Sequence, residues 1–252
     1  MKRAILLLTL VFTSLAFAQN EELFEDATAA YNKGEYEKAI ETYQEILSNG
    51  QHSASLYYNL GNSHYKLNQI APSIYYYEKA LLLDPGDKDT KQNLAFAQQM
   101  TIDDIKPNPQ SGLAKIYNNI IGILSFDQWA YTAVILVILF VLGYLAYYFL
   151  TYSSQKRVAF IGSMASLMLA IVAVVFAYIQ FENYSSEQPA IVFAIETKVK
   201  SEPNDRSSEV FILHEGTKVE VLDGLEDYKK IELADGKSGW VQENDIKLLK
   251  DF

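Results

Sequence analysis

Tyr57-Tyr58-Asn59-Leu60-Gly61, running on to Tyr77-Glu78-Lys79-Ala80-Leu81-Leu82-Leu83-Asp84-Pro85, is the stretch that decides how the N-terminal half folds. Shifting the chain by 34 residues lays Tyr36 on Ile70, Ala39 on Ser73, Tyr43 on Tyr77 and Ile46 on Ala80. The same shift brings Ala27 onto Gly61 and Tyr31 onto Tyr65, and a partial third copy sets Leu94 and Ala95 on Leu60 and Gly61. Self-similarity at a fixed period marks an array in which each unit buries its apolar face only against its neighbours. Pro85 closes the unit, since proline cannot continue a helix.

Small residues at 27 and 61, with tyrosines at 31, 43, 65 and 77, fill the places where a tetratricopeptide repeat crosses its two helices and packs aromatic rings between them. The second copy resembles that family strongly. The resemblance implies stacked helix pairs whose first helices line a groove. The groove positions carried over are Phe24, Thr28 and Tyr31 from the first copy, Tyr58, Asn62 and Tyr65 from the second, and Phe96 from the last helix. Repeat proteins of this family that clamp a C-terminal carboxylate place a Lys that is missing here, and Asp89 stands where a further Lys would be. The expected ligand is an extended peptide or helix with apolar and basic features. Two copies and a solvating helix over residues 89–100 fall short of the three or so units that stand alone. The flanking helix, the membrane or a partner is expected to complete the array.

Further along, no charged residue lies between Asp127 and Lys156, nor between Arg157 and Glu182. Each stretch exceeds the ~20 residues that cross a bilayer as a helix, and both are predicted to be transmembrane. Residues 151–157 carry only Lys156 and Arg157 as charges, while residues 19–110 hold seven basic against fourteen acidic side chains and residues 182–252 hold nine against sixteen. The basic turn is therefore expected in the cytoplasm and both soluble parts outside. Trp129, Tyr131, Tyr147, Tyr148, Tyr152, Tyr178 and Phe181 cluster where the two interfaces should fall. Gly162, Ser166, Ala170, Ala173 and Ala177 form a small-residue seam on the second span, open to the first span or to a partner protein. Neither span holds an ionisable residue, so no proton path or transport site is indicated.

At the N-terminus, Lys2 and Arg3, the apolar run from Ala4 to Phe12 and Ala16-Phe17-Ala18 make a secretory signal peptide cleaved near Ala18, a retained anchor being the alternative. After the array, Pro107 and Pro109 break the chain. Leu113, Ile116, Tyr117, Ile120, Ile121 and Leu124 then recur at helical spacing, with Ser125 placed to cap the first span. This amphipathic helix either lies in the bilayer interface or packs under the repeats.

From Ala190 the period changes to that of strands. Short β-rich runs at residues 191–193, 210–213, 219–221, 231–233 and 240–241 are separated by Glu215-Gly216, Asp223-Gly224 and Asp235-Gly236 turns, predicting a small closed barrel of five strands. Ser201-Glu202-Pro203, His214-Glu215-Gly216-Thr217-Lys218-Val219 and Gly236-Lys237-Ser238-Gly239-Trp240-Val241 resemble bacterial SH3-like domains in content and order. Tyr228 and Trp240 are the surface residues this resemblance singles out. Some members of that family bind peptidoglycan peptides and many only mediate contacts, so peptidoglycan enters as a candidate ligand.

The chain has no cysteine, which removes disulfides, thiolate metal sites and a Cys nucleophile together. His52, His64 and His214 are isolated, and no His-Glu-x-x-His, Gly-x-Ser-x-Gly or phosphate-cradling glycine loop occurs. No enzyme activity, cofactor or metal is expected, and the acidic balance of the soluble parts argues against nucleic acid.

The order of parts resembles the BatE-type repeat proteins of bacterial aerotolerance operons along the whole chain. That resemblance implies an inner-membrane protein acting beside von Willebrand A-domain membrane proteins in tolerance of oxygen or other stress. The fold class expected is a multidomain membrane protein: all-α tetratricopeptide helix pairs, two transmembrane helices and a C-terminal all-β SH3-like barrel. Its segments are a signal peptide over 1–18, repeats with a capping helix over 19–106, the juxtamembrane helix over 107–127, spans over 128–151 and 158–181 joined by a cytoplasmic loop over 152–157, and the SH3-like domain over 182–252.

Overall fold

The computed structural model describes residues 20–108, 112 and 119–250. The signal peptide over 1–18 and the side chains of Leu113, Ile116 and Tyr117 lie outside the described residues. The chain divides into two compact units, one formed by the residues up to Pro107 together with those from Gln188 on, the other by Asn108–Glu187.

In the first unit five helices follow one another: α1 over residues 20–32, α2 Tyr36–Ser48, α3 Ala54–Lys66, α4 Ile70–Leu83 and α5 Lys88–Gln98. Local chemistry sets their ends. Ser53 caps α3 by accepting the Leu56 N–H, and Asp87 caps α5 by accepting the N–H groups of Asp89 and Thr90. α4 stops at Leu83, directly before Asp84-Pro85. The repeat positions hold the core: Ala27, Ala39, Tyr43, Ile46, Leu60, Tyr77 and Ala80 are all buried. Gly61 lies so close to Tyr77 that a Cβ there would stand 2.5 Å from the ring. Ala95, the third-copy equivalent of Gly61, is exposed, because among the described residues no second helix follows α5 to cross it.

The C-terminal part of this unit is an antiparallel sheet of seven strands: β1 Pro189–Val192, β2 Glu196–Lys200, β3 Glu209–His214, β4 Lys218–Leu225, β5 Tyr228–Glu232, β6 Ser238–Gln242 and β7 Ile246–Leu248. The pairing order is β3-β2-β6-β5-β4-β1-β7, so the sheet is open with β3 and β7 as its ends, where five strands in a closed barrel were expected. The two strands absent from that expectation are β2, whose outward residues are charged while Thr197 and Val199 are buried, and β7, which has only three residues. Asp223-Gly224 is no turn: it continues β4 past a bulge, and the chain reverses at Glu226, which takes a φ of 51°.

Helices and sheet share one apolar cluster. Ala71, Ile74, Tyr75, Tyr77, Leu94 and Ala97 of the helices pack with Ile191 of β1 and Leu249 just beyond β7. Ile74, Ile191 and Leu249 are completely buried, each a contribution of about 1.5–3 kcal/mol. The short array is thus completed by the sheet.

The second unit is a hairpin of two apolar helices, Phe126–Phe149 and Ser153–Ser186, both long and apolar enough to cross a membrane. At 1.5 Å per residue they measure about 36 and 51 Å, against ~30 Å of hydrocarbon. Ser125 caps the first in a capping box with Gln128. Residues 150–152 alone connect the two, so the expected loop over 152–157 is mostly helix: Ser-Ser-Gln-Lys-Arg contains no breaker, and Lys156 and Arg157 sit in the opening turns of the second helix. The seam between the helices is small-sided, as anticipated, but rotated. Ser163, Ser166, Ala170 and Ala173 are buried, Ser166 Oγ donates to the Leu136 carbonyl at 2.8 Å, and Gly162 faces open space. Of the juxtamembrane segment, Ile121–Ile123 forms a 3-10 turn whose Ile121 carbonyl accepts from Trp129 Nε1 at 2.9 Å and Gln180 Nε2 at 2.8 Å.

Candidate partner-binding groove

A cavity of about 200 Å³ opens among α1, α3, α4 and α5. It brings together Tyr31, Tyr58, Asn62, Tyr65 and Phe96, five of the seven groove residues expected from sequence, and adds Lys66, Tyr77 and Asn93. The polar floor is built by four side chains on three helices. Asn62 Oδ1 accepts from the Tyr77 hydroxyl at 2.7 Å and from Asn93 Nδ2 at 2.9 Å, while Asn93 Nδ2 also reaches the Tyr58 hydroxyl at 3.2 Å. Both lone pairs of the Asn62 oxygen are then used, and among the described residues its Nδ2 donors have no partner. Tyr58 and Tyr77 pack ring to ring at 6.2 Å, and Phe96 is 46% exposed at the rim. A wall of this kind, apolar rings around a few fixed amide donors, suits an extended chain with carbonyls to satisfy.

The groove is neutral apart from Lys66. Burial pushes the Tyr77 phenol well above its ordinary range, helped by the neighbouring Tyr58, Tyr31 and Tyr65, with the Asn93 bond opposing. Burial, then Tyr36, Tyr58 and Tyr43, raises Tyr31 as well. These hydroxyls stay protonated near neutral pH and act as hydrogen-bond groups. No carboxylate lines the cavity, so nothing in it selects the basic ligand expected from sequence.

Phe24 and Thr28 lie elsewhere. Phe24 lines a separate cavity of about 350 Å³ with Ile46, Gln51 and Leu56, its ring 5.6 Å from that of Tyr43. The Thr28 hydroxyl donates to the Phe24 carbonyl at 2.8 Å and meets the Tyr43 hydroxyl at 2.9 Å. Thr28 and Tyr43 thus form the first-repeat counterpart of Asn62 and Tyr77, 34 positions earlier. The repeat spacing marks Tyr77 as a packing ring, and the structure shows that its hydroxyl also lines the groove; Asn93 carries no sequence signal, since nothing in its neighbourhood shows that α5 turns it toward α3.

Residues 54–87 match the tetratricopeptide repeat family model. The match covers α3, α4 and the turn after them, the second of the two helix pairs. No curated protein matches the chain. A tetratricopeptide repeat points to protein–protein interaction, and its first helix here, α3, supplies Tyr58, Asn62 and Tyr65 to the groove.

The sheet is fastened to the repeat by polar contacts beside the shared cluster. Asp103, just beyond α5, accepts from the His214 backbone N–H at 2.8 Å, the His214 ring Nδ1 at 2.7 Å and the Thr217 hydroxyl at 2.6 Å. Lys218 pairs with Glu78 of α4 at 2.7 Å, and the Phe193 ring meets that of Tyr75 edge-on at 5.5 Å. Elsewhere in the sheet, Trp240 is half-buried and stands in register between Lys200 and Lys230, while the Tyr228 hydroxyl donates to Asp205 at 2.7 Å. The other histidines are structural neighbours: His52 meets the Tyr57 hydroxyl, and His64 is buried with its Nδ1 toward Gln69 and a pKa lowered by burial. Among the described residues no group of three His, Asp or Glu side chains could hold a metal ion.

Proposed function

We propose that this chain is a two-pass inner-membrane scaffold of a Bat-type stress-tolerance assembly, catalysing nothing and needing no cofactor, whose repeat groove holds a periplasmic segment of a partner such as a von Willebrand A-domain protein. The observation that carries the reading is the groove itself: five predicted residues converge on one cavity around the uncommitted Asn62 amide.

Connectivity supports the two-pass topology. The repeat precedes the apolar hairpin in sequence and the sheet follows it, yet both fold into one compact unit. Two segments so packed must stand on the same face of any bilayer the hairpin crosses. Lys156 and Arg157, at the closed end of the hairpin, give the cytoplasmic sign to that end. The sheet is taken as an SH3-like domain, its strand content and Gly239-Trp240-Val241 supporting the likeness while its open pairing departs from a closed barrel.

In the full chain, Tyr58→Ala with Tyr65→Ala is expected to abolish co-purification of the membrane partner while the protein still inserts. Undiminished co-purification with the double variant overturns the reading.

A further inference from the structure

We infer that His64 is an acid-sensitive latch: a proton on its buried imidazole loosens the packing of α3 on α4 and, with it, the joint between repeat and sheet. The latch concerns that joint alone and does not depend on what the groove binds.

The ring is enclosed and half-satisfied. His64 is only 7% exposed and lies flat on Tyr76 of α4, the ring centroids 5.2 Å apart and the planes 14° apart. Its Nδ1 donates to Gln69 Oε1 in the turn between the two helices, which places the single proton of the neutral ring on Nδ1. Nε2 is then a buried acceptor with no partner among the described residues. A second proton has to go there, and it creates an imidazolium that burial penalises unless a carboxylate stands beside it.

The surrounding elements supply no such carboxylate. α3, β1 and β7 contain no acidic residue. The one acid of α4, Glu78, is taken by Lys218 at 2.7 Å, and Asp245, next to β7, accepts from the Thr197 hydroxyl and the Phe193 and Ala194 N–H groups. The cations are closer at hand. Lys79, one turn beyond Tyr76, is itself 4% exposed with its Nζ 5.0 Å from the Tyr57 ring and 5.2 Å from the Tyr75 ring, and Lys247 approaches from β7. Lys66 of α3 lines the groove instead. Burial holds the His64 pKa below its ordinary value, with the Gln69 bond opposing and Lys247 adding to the shift. A histidine depressed in this way is protonated first in the opened form. Its contribution to stability is complete above the unfolded value of about 6.5 and is lost as pH falls from there toward the folded value.

A row of rings carries the effect to the sheet. Tyr76 meets Tyr75 edge-on at 5.3 Å, Tyr75 meets Phe193, just past β1, at 5.5 Å, and Lys247 Nζ stands 4.2 Å over the Phe193 ring. His64 is the support of that row on α3. His214, the other histidine of the joint, faces the Asp103 carboxylate at 2.7 Å, where a proton adds attraction and tightens the contact.

The test is hydrogen exchange of the full chain in detergent micelles, read peptide by peptide and corrected for the intrinsic effect of pH on exchange. Between about pH 7.5 and about pH 5, a range in which Asp103 stays ionised, opening of α3, α4 and β1 is expected to rise at least about threefold. His64→Phe keeps a flat ring against Tyr76 and takes no proton, so it should abolish the rise. His64→Gln, smaller and equally uncharged, should be looser at both pH values and just as insensitive to acid, which keeps the test decisive if the Phe variant folds poorly. A rise retained in either folded variant overturns the inference, as does a parent protein whose exchange in these elements is the same at both pH values.

Discussion

Asp103 grips His214 twice, taking its backbone N–H at 2.8 Å and its ring Nδ1 at 2.7 Å, although 111 positions of sequence separate them. Asp103 ends the helical array and His214 ends β3, so this one carboxylate fixes where the sheet meets the repeat. The Thr217 hydroxyl adds a third bond, and Gly216 between them comes against Thr101, Ile70 and Ile74. Charge-assisted bonds to a carboxylate are each worth about 1.5–3 kcal/mol, and stranding their donors has a similar cost.

That grip should weaken in acid. Burial raises the Asp103 pKa, but the bonds from Thr217, the His214 N–H and the His214 ring together outweigh it and hold the carboxyl below its ordinary value. A group depressed in the folded state contributes stability above its unfolded pKa, about 3.9 for Asp, and loses it as pH falls through the folded value. Asp103→Asn is expected to melt well below the parent at pH 7, with the gap narrowing below about pH 4. Melting curves of both proteins from pH 7 to pH 3 decide it, and a constant gap would speak against the role given to the carboxylate.

Gly216→Ala should part sheet from helices without touching a charge. Gly216 has a φ of +85°, where a Cβ costs about 1–2 kcal/mol. The added carbon would also stand 2.9 Å from Thr101 Cγ2 and 3.0 Å from Ile70 Cγ2 and Ile74 Cδ1, an overpacking of about 1–3 kcal/mol. Gly50→Ala is the control, with a φ of +77° and nothing within 4 Å. Denaturant unfolding should rank Gly216→Ala as the more destabilising of the two, and equal losses would leave the packing argument without support.

In the groove, Asn93→Ala is expected to loosen ligand capture more than the fold. Its amide steadies both Tyr58 and Asn62 from α5, and removing one part-buried side chain of this kind costs about 1 kcal/mol of stability. Partner retention after detergent extraction should fall several-fold while the melting temperature moves by only a few degrees. A large melting shift with normal retention would make Asn93 a packing residue instead.

The repeat was readable because its signal is a spacing: Tyr43 and Tyr77 recur at 34 positions, and each buries the same ring and hydrogen-bonds the same site, Thr28 or Asn62. The apolar helices were readable from their lack of charge, though their ends were not, since nothing between Leu150 and Arg157 marks where helix resumes. In the groove, residues on the first helix of each pair were legible from their repeat position, whereas Asn93 depends on the packing of α5 against α3. The docking of sheet on repeat had no local trace: Asp103-Asp104 reads as a solvated acidic pair until a strand from beyond the hairpin brings His214 and Thr217 to it.

The hairpin allows a test free of background, because the chain contains no cysteine. A Cβ on Gly143 would stand 3.1 Å from Ser163 Cβ, a few tenths of an ångström inside the 3.5–4.5 Å that disulfides span. Gly143→Cys with Ser163→Cys should therefore cross-link within one chain on mild oxidation, with a mobility shift reversed by reductant. Gly143→Cys with Gly162→Cys should not, since Gly162 faces away from the seam. Yield in the second pair equal to that in the first would mean that the two helices do not meet along Ser163, Ser166 and Ala170. The small-residue face would then be free for a partner helix, and the Ser166 bond to Leu136 would not be what joins the pair.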